Sequence, residues 1–435
     1  MPRKRSESIK IIFAVFFILY VVSFFRCVFY PGGLWCIGWK AQVPFFAIQL
    51  FLIGTTKVYD NLLFSRILKL YVFFIILNMI TCLIYRKQGL YVSFSAWFPF
   101  FLIFYYPFFK YLNISIRGWE KVLFSLFFIL LIGYTLQNIF LTVELFHLDT
   151  GSIESLQYES RVRIWSSGIL SLGGLYSLNR ALCGKKIYYV FFIWMCIIIF
   201  LQGTRSTILG VAVITALMYF KINGFNWKVL GAATAAIAIV LVLSTQSLFQ
   251  NKVDEIITRS ETQSLDNSDY VRVGNINYHL NNHFIDGLEY FLGSGRTIIL
   301  DGETPLYKAP SDYSRLRSSL AQDYHWFAAD WGLLGLSWEV GIPFLIVFLS
   351  LFIAMYRKKV PKEYYYIGVW EIYLILTTGA FGETIYCHHN IVYHALALVI
   401  LDQVCQKYPD VAEQNKINKT KKVLKYENCT PQPSV

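Results

Sequence analysis

The sequence predicts an all-α polytopic membrane protein with about twelve transmembrane helices. Of its 435 residues, 56% are hydrophobic, 18% are aromatic and only 15% are charged. An average soluble protein carries about 25% charged residues, and a globule of this size cannot hide so much apolar surface. The apolar residues also fall in runs close to the roughly 20 residues that span a hydrocarbon core.

Twelve apolar runs give the predicted spans, and polar segments separate them. The sixth run is diluted by Ser-Ser-Gly and Leu-Gly-Gly. Small residues of this kind favour a helix that packs among other helices over one that faces lipid. The predicted spans are 11–29, 43–54, 67–85, 91–109, 122–146, 164–182, 187–201, 207–222, 227–246, 332–356, 364–380 and 385–404.

The positive charges predict the orientation of these spans. The chain starts with Met-Pro-Arg-Lys-Arg and runs into the first apolar stretch without a small-residue cleavage site, which is typical of a retained first helix with a cytoplasmic start. Most of the 39 Lys and Arg then fall in cytoplasmic segments, so the net charge of +12 is mainly a topology signal. The chain divides into spans one to nine at 1–246, a large periplasmic loop at 247–325, spans ten to twelve at 326–405 and a cytoplasmic tail at 406–435.

The external positive charges are mostly arginines, whereas the cytoplasmic ones are mostly lysines. Topology does not distinguish the two, but a planar guanidinium that grips phosphate with two hydrogen bonds does. Arg161 and Arg163 enter the sixth span, Arg205 lies in the tight turn between spans seven and eight, and Arg272 and Arg296 lie in the long loop. These arginines indicate an external anion site, although an arginine at a membrane boundary can also simply reach the headgroups.

The long external loop contains a recognisable helical pattern. Val273, Ile276, Leu280, Phe284 and Leu288 recur at helical spacing and predict a short amphipathic helix. We expect this helix to lie on the membrane surface or over the mouth of the bundle. Gly293-Ser-Gly295 then predicts a turn that ends the unit.

Acid or base candidates cluster where the long loop re-enters the membrane. His325 and Asp330 lie at this boundary, where a solvated carboxylate is the alternative interpretation of Asp330. Glu339 lies nine residues further on in apolar sequence, and a carboxylate that faced lipid there would be costly. It is therefore expected to face the bundle, as a partner for an arginine or as part of a site. The cysteines and histidines show no metal-ligand spacing, so no metal site is predicted.

The external residues follow a fixed order along the chain. They are Arg161 and Arg163 before Ser-Gly168, Gly203-Thr-Arg205-Ser, Arg272, Gly293-Ser-Gly295, Asp330-Trp-Gly and Glu339-Val-Gly341-Ile-Pro. In this order, and with the long loop before Asp330, residues 11–404 resemble the O-antigen polymerase and O-antigen ligase superfamily of bacterial envelope glycosyltransferases.

The resemblance implies an all-helical C-type glycosyltransferase fold in the bacterial inner membrane and a metal-independent reaction without a cofactor. Donor and acceptor would be glycans on undecaprenyl diphosphate at the periplasmic face, with membrane lipid, a chain-length regulator and a flippase as further partners and no nucleic acid. Arg205 and Arg272 match the family's diphosphate-binding arginines. Such arginines would stabilise charge on the leaving diphosphate, while a base takes the proton of the attacking sugar hydroxyl.

One departure from the family pattern concerns the base. Family ligases carry a His-Asn pair where the long loop rejoins the membrane, whereas this chain has Asp330 near that register and His325 earlier. The base therefore stays open between these two residues, and the missing pair favours a polymerase over a ligase. Two alternatives are a ligase that transfers glycan to lipid A core and, in another functional class, a polysaccharide or lipid transporter.

Overall fold

A computed structural model describes eleven stretches or single positions of the chain. They are residues 2–22, 47, 51, 62–86, 88–139, 168–202, 205–224, 276, 284–295, 332–379 and 388–409. Most of these residues are helical, and no strand occurs among them. The prediction of an all-α protein is therefore confirmed for the described part of the chain.

Thirteen α-helices make up most of the described residues. They are α1 (Pro2–Val21), α2 (Ser65–Arg86), α3 (Leu90–Phe101), α4 (Tyr105–Tyr111), α5 (Ile116–Ile139), α6 (Gly168–Leu182), α7 (Tyr188–Gln202), α8 (Arg205–Asn223), α9 (Gly287–Leu292), α10 (Gly332–Val340), α11 (Ile342–Arg357), α12 (Tyr365–Gly379) and α13 (His388–Lys407). Short 3₁₀ turns at Leu102–Phe104 and Lys362–Tyr364 precede α4 and α12.

Helices lie at predicted spans one, three to eight and ten to twelve, but two of these spans are interrupted. The fourth span consists of α3, a 3₁₀ turn and α4, with Pro99 inside α3. The tenth span is divided into α10 and α11 at Gly341, whose φ of 81° is incompatible with a continuous helix. The ninth span lies outside the described residues, as does the second except for helical positions 47 and 51.

Length and composition alone identify two helices that could cross a membrane. These are α2 and α5, while α7, α8 and α11 are apolar but shorter. The distribution of side chains adds a separate observation. Phe73 and Ile84 on the outer face of α2 are 57% and 58% exposed, whereas Asn78 on the same helix is 1% exposed. Apolar groups outside and polar groups inside are what a surrounding hydrocarbon solvent favours.

Helix α6 is the most enclosed element among those described. All of its residues except Arg180 and Leu182 are buried. A Cβ on Gly173 would lie 2.2 Å from the ring of Phe127 on α5, and one on Gly174 would lie 2.1 Å from the sulfur of Met195 on α7. The small residues therefore let three helices approach closely, as the sequence predicts for the sixth span.

Polar contacts gather at one end of the bundle, and they involve residues that the charge pattern assigns to the cytoplasm. The Lys110 ammonium lies 2.6 Å from the Asp402 carboxylate, and Lys10 donates to the Leu112 carbonyl at 3.0 Å. Arg180 on α6 forms an ion pair with Glu120 on α5. We call the opposite end, where α6, α8, α10 and α13 begin and α12 ends, the external end.

Candidate anion-binding site at the external end

Helix α12 packs against three of the helices that begin at the external end. It packs along α6, α8, α10 and α11. Near its end, Thr377 and Tyr373 contact Gly210 of α8 so closely that a Cβ on that glycine would lie 2.7 Å from the Thr377 methyl group. A Cβ on Gly379, the last residue of α12, would lie 3.9 Å from Leu333 in the first turn of α10. The first turns of α8 and α10 thus lie beside the last turns of α12.

The beginnings of α6 and α13 meet beside the same helix. A Cβ on Gly168, the first residue of α6, would lie 1.5 Å from the amide oxygen of Asn390 in the first turn of α13. Ser171, one turn into α6, accepts a hydrogen bond from the Trp370 indole of α12 at 2.9 Å. This hydrogen bond joins α6 to α12 just inside the external end.

The helices that begin at the external end present backbone N–H groups there. The first four N–H groups of a helix have no partner within the helix, and the aligned peptide dipoles add about half a positive charge at that terminus. Here α6, α8 and α10 begin beside α12, and the first turn of α13 adjoins the first turn of α6, while the end of α12 carries the opposite partial charge. Helix N-termini of this kind commonly bind phosphate groups. These N-termini are therefore candidate donors to an anion at the external end.

Most predicted site residues lie outside the described residues but next to these N-termini in sequence. Arg205 is the first residue of α8, and only its backbone is described. Arg161 and Arg163 precede α6, and His325 and Asp330 precede α10, but all four lie outside the described residues. The same is true of the loop residues Arg272 and Arg296.

Glu339 is the one predicted site residue whose side chain is described. It lies in the last turn of α10, where its carboxylate atom Oε2 is buried. Its backbone carbonyl accepts hydrogen bonds from the Asn78 side chain at 3.1 Å and from the backbone N–H of Gly295 at 2.9 Å. Glu339 therefore faces the protein, beside α2 and residues 284–295.

Residues 284–295 are docked onto α2 by a buried ion pair. Arg86 at the end of α2 pairs with Glu289 of α9, and their side chains are 4% and 0% exposed. Asp286 caps α9 by accepting the Glu289 backbone N–H at 2.8 Å, and it also accepts a hydrogen bond from the Tyr85 hydroxyl at 3.1 Å. We call residues 284–295 the docked segment.

The docked segment differs from the predicted amphipathic helix. Phe284 is not helical, and a new helix starts after it because Asp286 provides an N-cap. Leu288 of the predicted apolar face is 56% exposed. Phe284 and Ile276 instead pack against Trp338 of α10. The other residues of the predicted helical stripe lie outside the described residues.

Two glycines allow the docked segment to reach the break between α10 and α11. The backbone N–H of Ser294 donates to the Trp338 carbonyl at 2.8 Å. Gly293 and Gly341 have φ angles of 87° and 81°, and a Cβ on either would lie 2.3 Å from backbone atoms of the other chain segment. No other residue fits such a left-handed backbone at this separation. Helix α9 thus ends at Gly293, where the sequence predicts that the unit ends, and residues 293–295 make a contact that the sequence did not indicate.

A second buried ionisable pair lies deeper in the bundle and was missed by the sequence interpretation. Nδ1 of His394 on α13 lies 2.9 Å from a carboxylate oxygen of Glu371 on α12. Both side chains are almost completely enclosed. A glutamate inside a predicted apolar span was a signal that could have found this pair, because intramembrane carboxylates are rare and usually functional.

Two comparisons of the chain with known proteins found no match. No protein-family model matches the chain, and no curated protein matches its sequence. Among the described residues, no group of three or more His, Cys, Asp or Glu side chains is arranged to hold a metal ion.

Proposed function

We propose that this chain is an inner-membrane glycosyltransferase that joins undecaprenyl-diphosphate-linked oligosaccharide repeat units into O-antigen, capsular or exopolysaccharide at the periplasmic face. The observation that supports the proposal is that α6, α8 and α10 begin beside α12, with the start of α13 next to the start of α6. Predicted site residues lie close to the starts of three of these helices in sequence: Arg163 five residues before α6, Arg205 at the first position of α8 and Asp330 two residues before α10.

The proposed membrane location rests on the distribution of polar and apolar side chains. Large apolar residues are exposed along α1, α2, α7, α8 and α11, while Glu371, His394 and Asn78 are buried. About twelve spans, with both termini in the cytoplasm, remain the topology that the sequence favours. A lipid-linked donor suits this setting, because its polyprenyl chain can stay in the bilayer while its diphosphate reaches the external end.

The chemistry follows from the charge that develops during transfer. The acceptor hydroxyl attacks the anomeric carbon of the donor sugar, a glycosidic bond forms, and the bond between that carbon and the diphosphate oxygen breaks. Helix N-termini together with Arg205 and Arg272 stabilise the negative charge on the departing diphosphate. Asp330 or His325 accepts the proton that the hydroxyl releases.

The anion site is tested by a charge-conserving substitution. With purified protein in lipid nanodiscs and an undecaprenyl-diphosphate-linked oligosaccharide, we expect Arg205→Lys to reduce polymer formation by roughly a hundredfold, the scale of losing one transition-state donor. Arg117→Lys is the matched control, since Arg117 is an exposed arginine at the opposite end. Normal polymer length and yield with Arg205→Lys would show that the turn between α7 and α8 does not bind the diphosphate.

The same assay identifies the base. Asp330→Asn is expected to abolish turnover while donor binding remains, and His325→Gln is expected only to slow turnover. Full turnover by Asp330→Asn would remove Asp330 from the mechanism. Loss of donor binding in that variant would instead give Asp330 a role in shaping the pocket and make His325 the better candidate.

Two other functions are distinguished by the products. A ligase would transfer the glycan to added lipid A core and would form no polymer without it. A transporter is favoured by one specific observation, the buried pair of Glu371 and His394, because intramembrane Glu and His residues serve as proton relays in pumps. Movement of a lipid-linked glycan across proteoliposomes under a pH gradient, without any new glycosidic bond, would support the transporter.

A further inference from the structure

The docked segment lies alongside the external half of α2. Helix α2 is long and apolar enough to cross a membrane. At 1.5 Å per residue its 22 residues span about 33 Å, close to the roughly 30 Å of a hydrocarbon core. The external boundary of that core therefore lies near Arg86, the last residue of α2. A segment that packs on α2 further from this end lies at the depth of the hydrocarbon.

Helix α9 descends along α2 from this boundary. Asp286, the N-cap of α9, accepts a hydrogen bond from the Tyr85 hydroxyl. The carbonyl of Leu292, the last residue of α9, accepts one from the Asn78 side chain at 3.0 Å. A helix rises about 9 Å from Asp286 to Leu292 and about 10 Å from Asn78 to Tyr85. The two helices are therefore antiparallel here, and the end of α9 lies about two helical turns inside α2.

The chain turns at the inner end of α9 and starts back. A Cβ on Gly295 would lie 2.5 Å from Cys82, which is one helical turn closer to the external end than Asn78. Residues 293–295 are not helical, but all three are buried, and their N–H groups donate to backbone carbonyls of α9 and α10. Irregular backbone at membrane depth is tolerated only where protein satisfies its polar groups in this way.

The outward face of α9 is apolar and aromatic. Leu288, Tyr290 and Phe291 are 56%, 39% and 48% exposed. The one charged side chain of α9, that of Glu289, is turned inwards and paired with Arg86. A segment that faces water normally exposes its charged side chains and buries its large apolar ones. The distribution in α9 is therefore the one that an apolar surrounding favours.

This apolar face continues the outer faces of the neighbouring helices. Helix α9 packs against both α2 and α11. Ile80 and Ile84 of α2 are exposed, and so is Ile346 in the second turn of α11. Three adjacent helices thus expose apolar side chains at neighbouring depths, which suits lipid acyl chains and not water.

We propose that residues 284–295 form a re-entrant element that dips into the external leaflet, with Leu288 and Phe291 in contact with lipid acyl chains. The inference rests on the membrane location given under the proposed function. It places part of the loop between the ninth and tenth predicted spans inside the bilayer. The pair of Arg86 and Glu289 fits this setting, because an unpaired carboxylate at the edge of hydrocarbon would be costly.

Labelling from the lipid phase tests the proposal on the wild-type chain. The full protein is placed in phosphatidylcholine nanodiscs, one chain in each, with a phenyl-diazirine that loses dinitrogen on illumination and inserts as a carbene into nearby C–H bonds. An apolar reagent of this size favours hydrocarbon over water by roughly a hundredfold or more. Peptide mapping should show Leu288 and Phe291 labelled within about threefold of Ile84, and roughly tenfold or more above Lys185, which is exposed in the turn between α6 and α7.

Hydroxyl radicals generated in the water give the complementary measurement. If Ile84 takes the carbene while Leu288 and Phe291 are oxidised by the radicals instead, the docked segment faces water. That result overturns the inference and leaves the membrane location intact. Labelling of the segment by neither reagent means that protein covers it, which overturns the inference equally. Failure of Ile84 itself to take the carbene would overturn the membrane location.

A matched pair of lysine substitutions tests the depth of the segment. At Ile285, beside the boundary, a lysine can reach the headgroups, whereas at Phe291 its charge would lie in hydrocarbon. With Phe291→Lys we expect the amides of Ser294 and Gly295 to exchange roughly tenfold faster or more, because the segment leaves α10. Ile285→Lys and the apolar control Phe291→Met should exchange within a few-fold of the wild type. Equal exchange in the two lysine variants would overturn the inference, since a residue in water tolerates either charge.

Discussion

Removing one member of the ion pair between Arg86 and Glu289 should release the docked segment from α2. Glu289 is fully buried and Arg86 nearly so, and the Glu289 carboxylate also accepts the Ile285 N–H at 2.7 Å. Removing one partner of a buried pair typically costs about 3 to 5 kcal/mol, because it leaves a buried charge without compensation. Arg86→Met should therefore lower the free energy of local opening by about 3 kcal/mol, which corresponds to roughly a hundredfold.

Hydrogen exchange measures this opening directly. The backbone N–H groups of Ser294 and Gly295 donate to carbonyls of Trp338 and Glu339, so they exchange only when the docked segment leaves α10. In Arg86→Met we expect these two amides to exchange roughly a hundredfold faster, while amides within α6 stay unchanged. Tyr85→Phe is the control, because it removes only the exposed hydrogen bond to Asp286 and should change exchange by severalfold at most.

A double variant distinguishes the ion pair from general damage at this position. Replacing a buried ion pair by apolar residues of similar size is often neutral, so Arg86→Met/Glu289→Met should regain most of the protection that Arg86→Met loses. Unchanged exchange in the single variant would refute the argument that the ion pair holds the segment. Equal loss in the single and double variants would show that packing volume, and not charge, matters here.

Two further predictions concern topology and packing. A cysteine introduced near Gly302 should react with an impermeant thiol reagent in intact spheroplasts, whereas one near Gln414 should not, and the reverse pattern would overturn the assignment of the external end. Gly173→Leu should destabilise the bundle by about 1 to 3 kcal/mol or prevent assembly, since even a Cβ would overlap the Phe127 ring of α5. Gly89→Ala is the control: a Cβ at Gly89 has open space, so this variant should unfold at the wild-type temperature.

The positions of most helices could be predicted because the signal is local. A run of apolar residues long enough to cross hydrocarbon must satisfy its own backbone hydrogen bonds, and a helix does so within the run. The ends were less predictable. α1 begins at Pro2 and α5 at Ile116, several residues before the apolar runs begin, because polar residues such as Glu120 can continue a helix when they find partners.

The residues of the candidate site stay a prediction from the sequence, whereas the packing of the helices that carry them was not predictable from it. The excess of external arginines pointed to an anion before any fold was known. That α6, α8 and α10 begin beside α12 depends on which helices pack together, and their sequences do not encode this locally. The break at Gly341 had a visible signal, since Gly-Ile-Pro interrupts the tenth span, although its contact with Gly293 had none.

The sequence by itself determined the helical class, the positions of most described apolar helices and the charge pattern along the chain, because each depends on hydropathy and composition within one segment. Only the tertiary structure decided that Asn78 donates to the Leu292 carbonyl 214 residues away, that Arg86 meets Glu289, and that Glu371 meets His394. Such a pair forms only if two helices have matching depth and rotation. Both are set by the packing of the whole bundle, in which glycines such as those of α6 let particular faces approach.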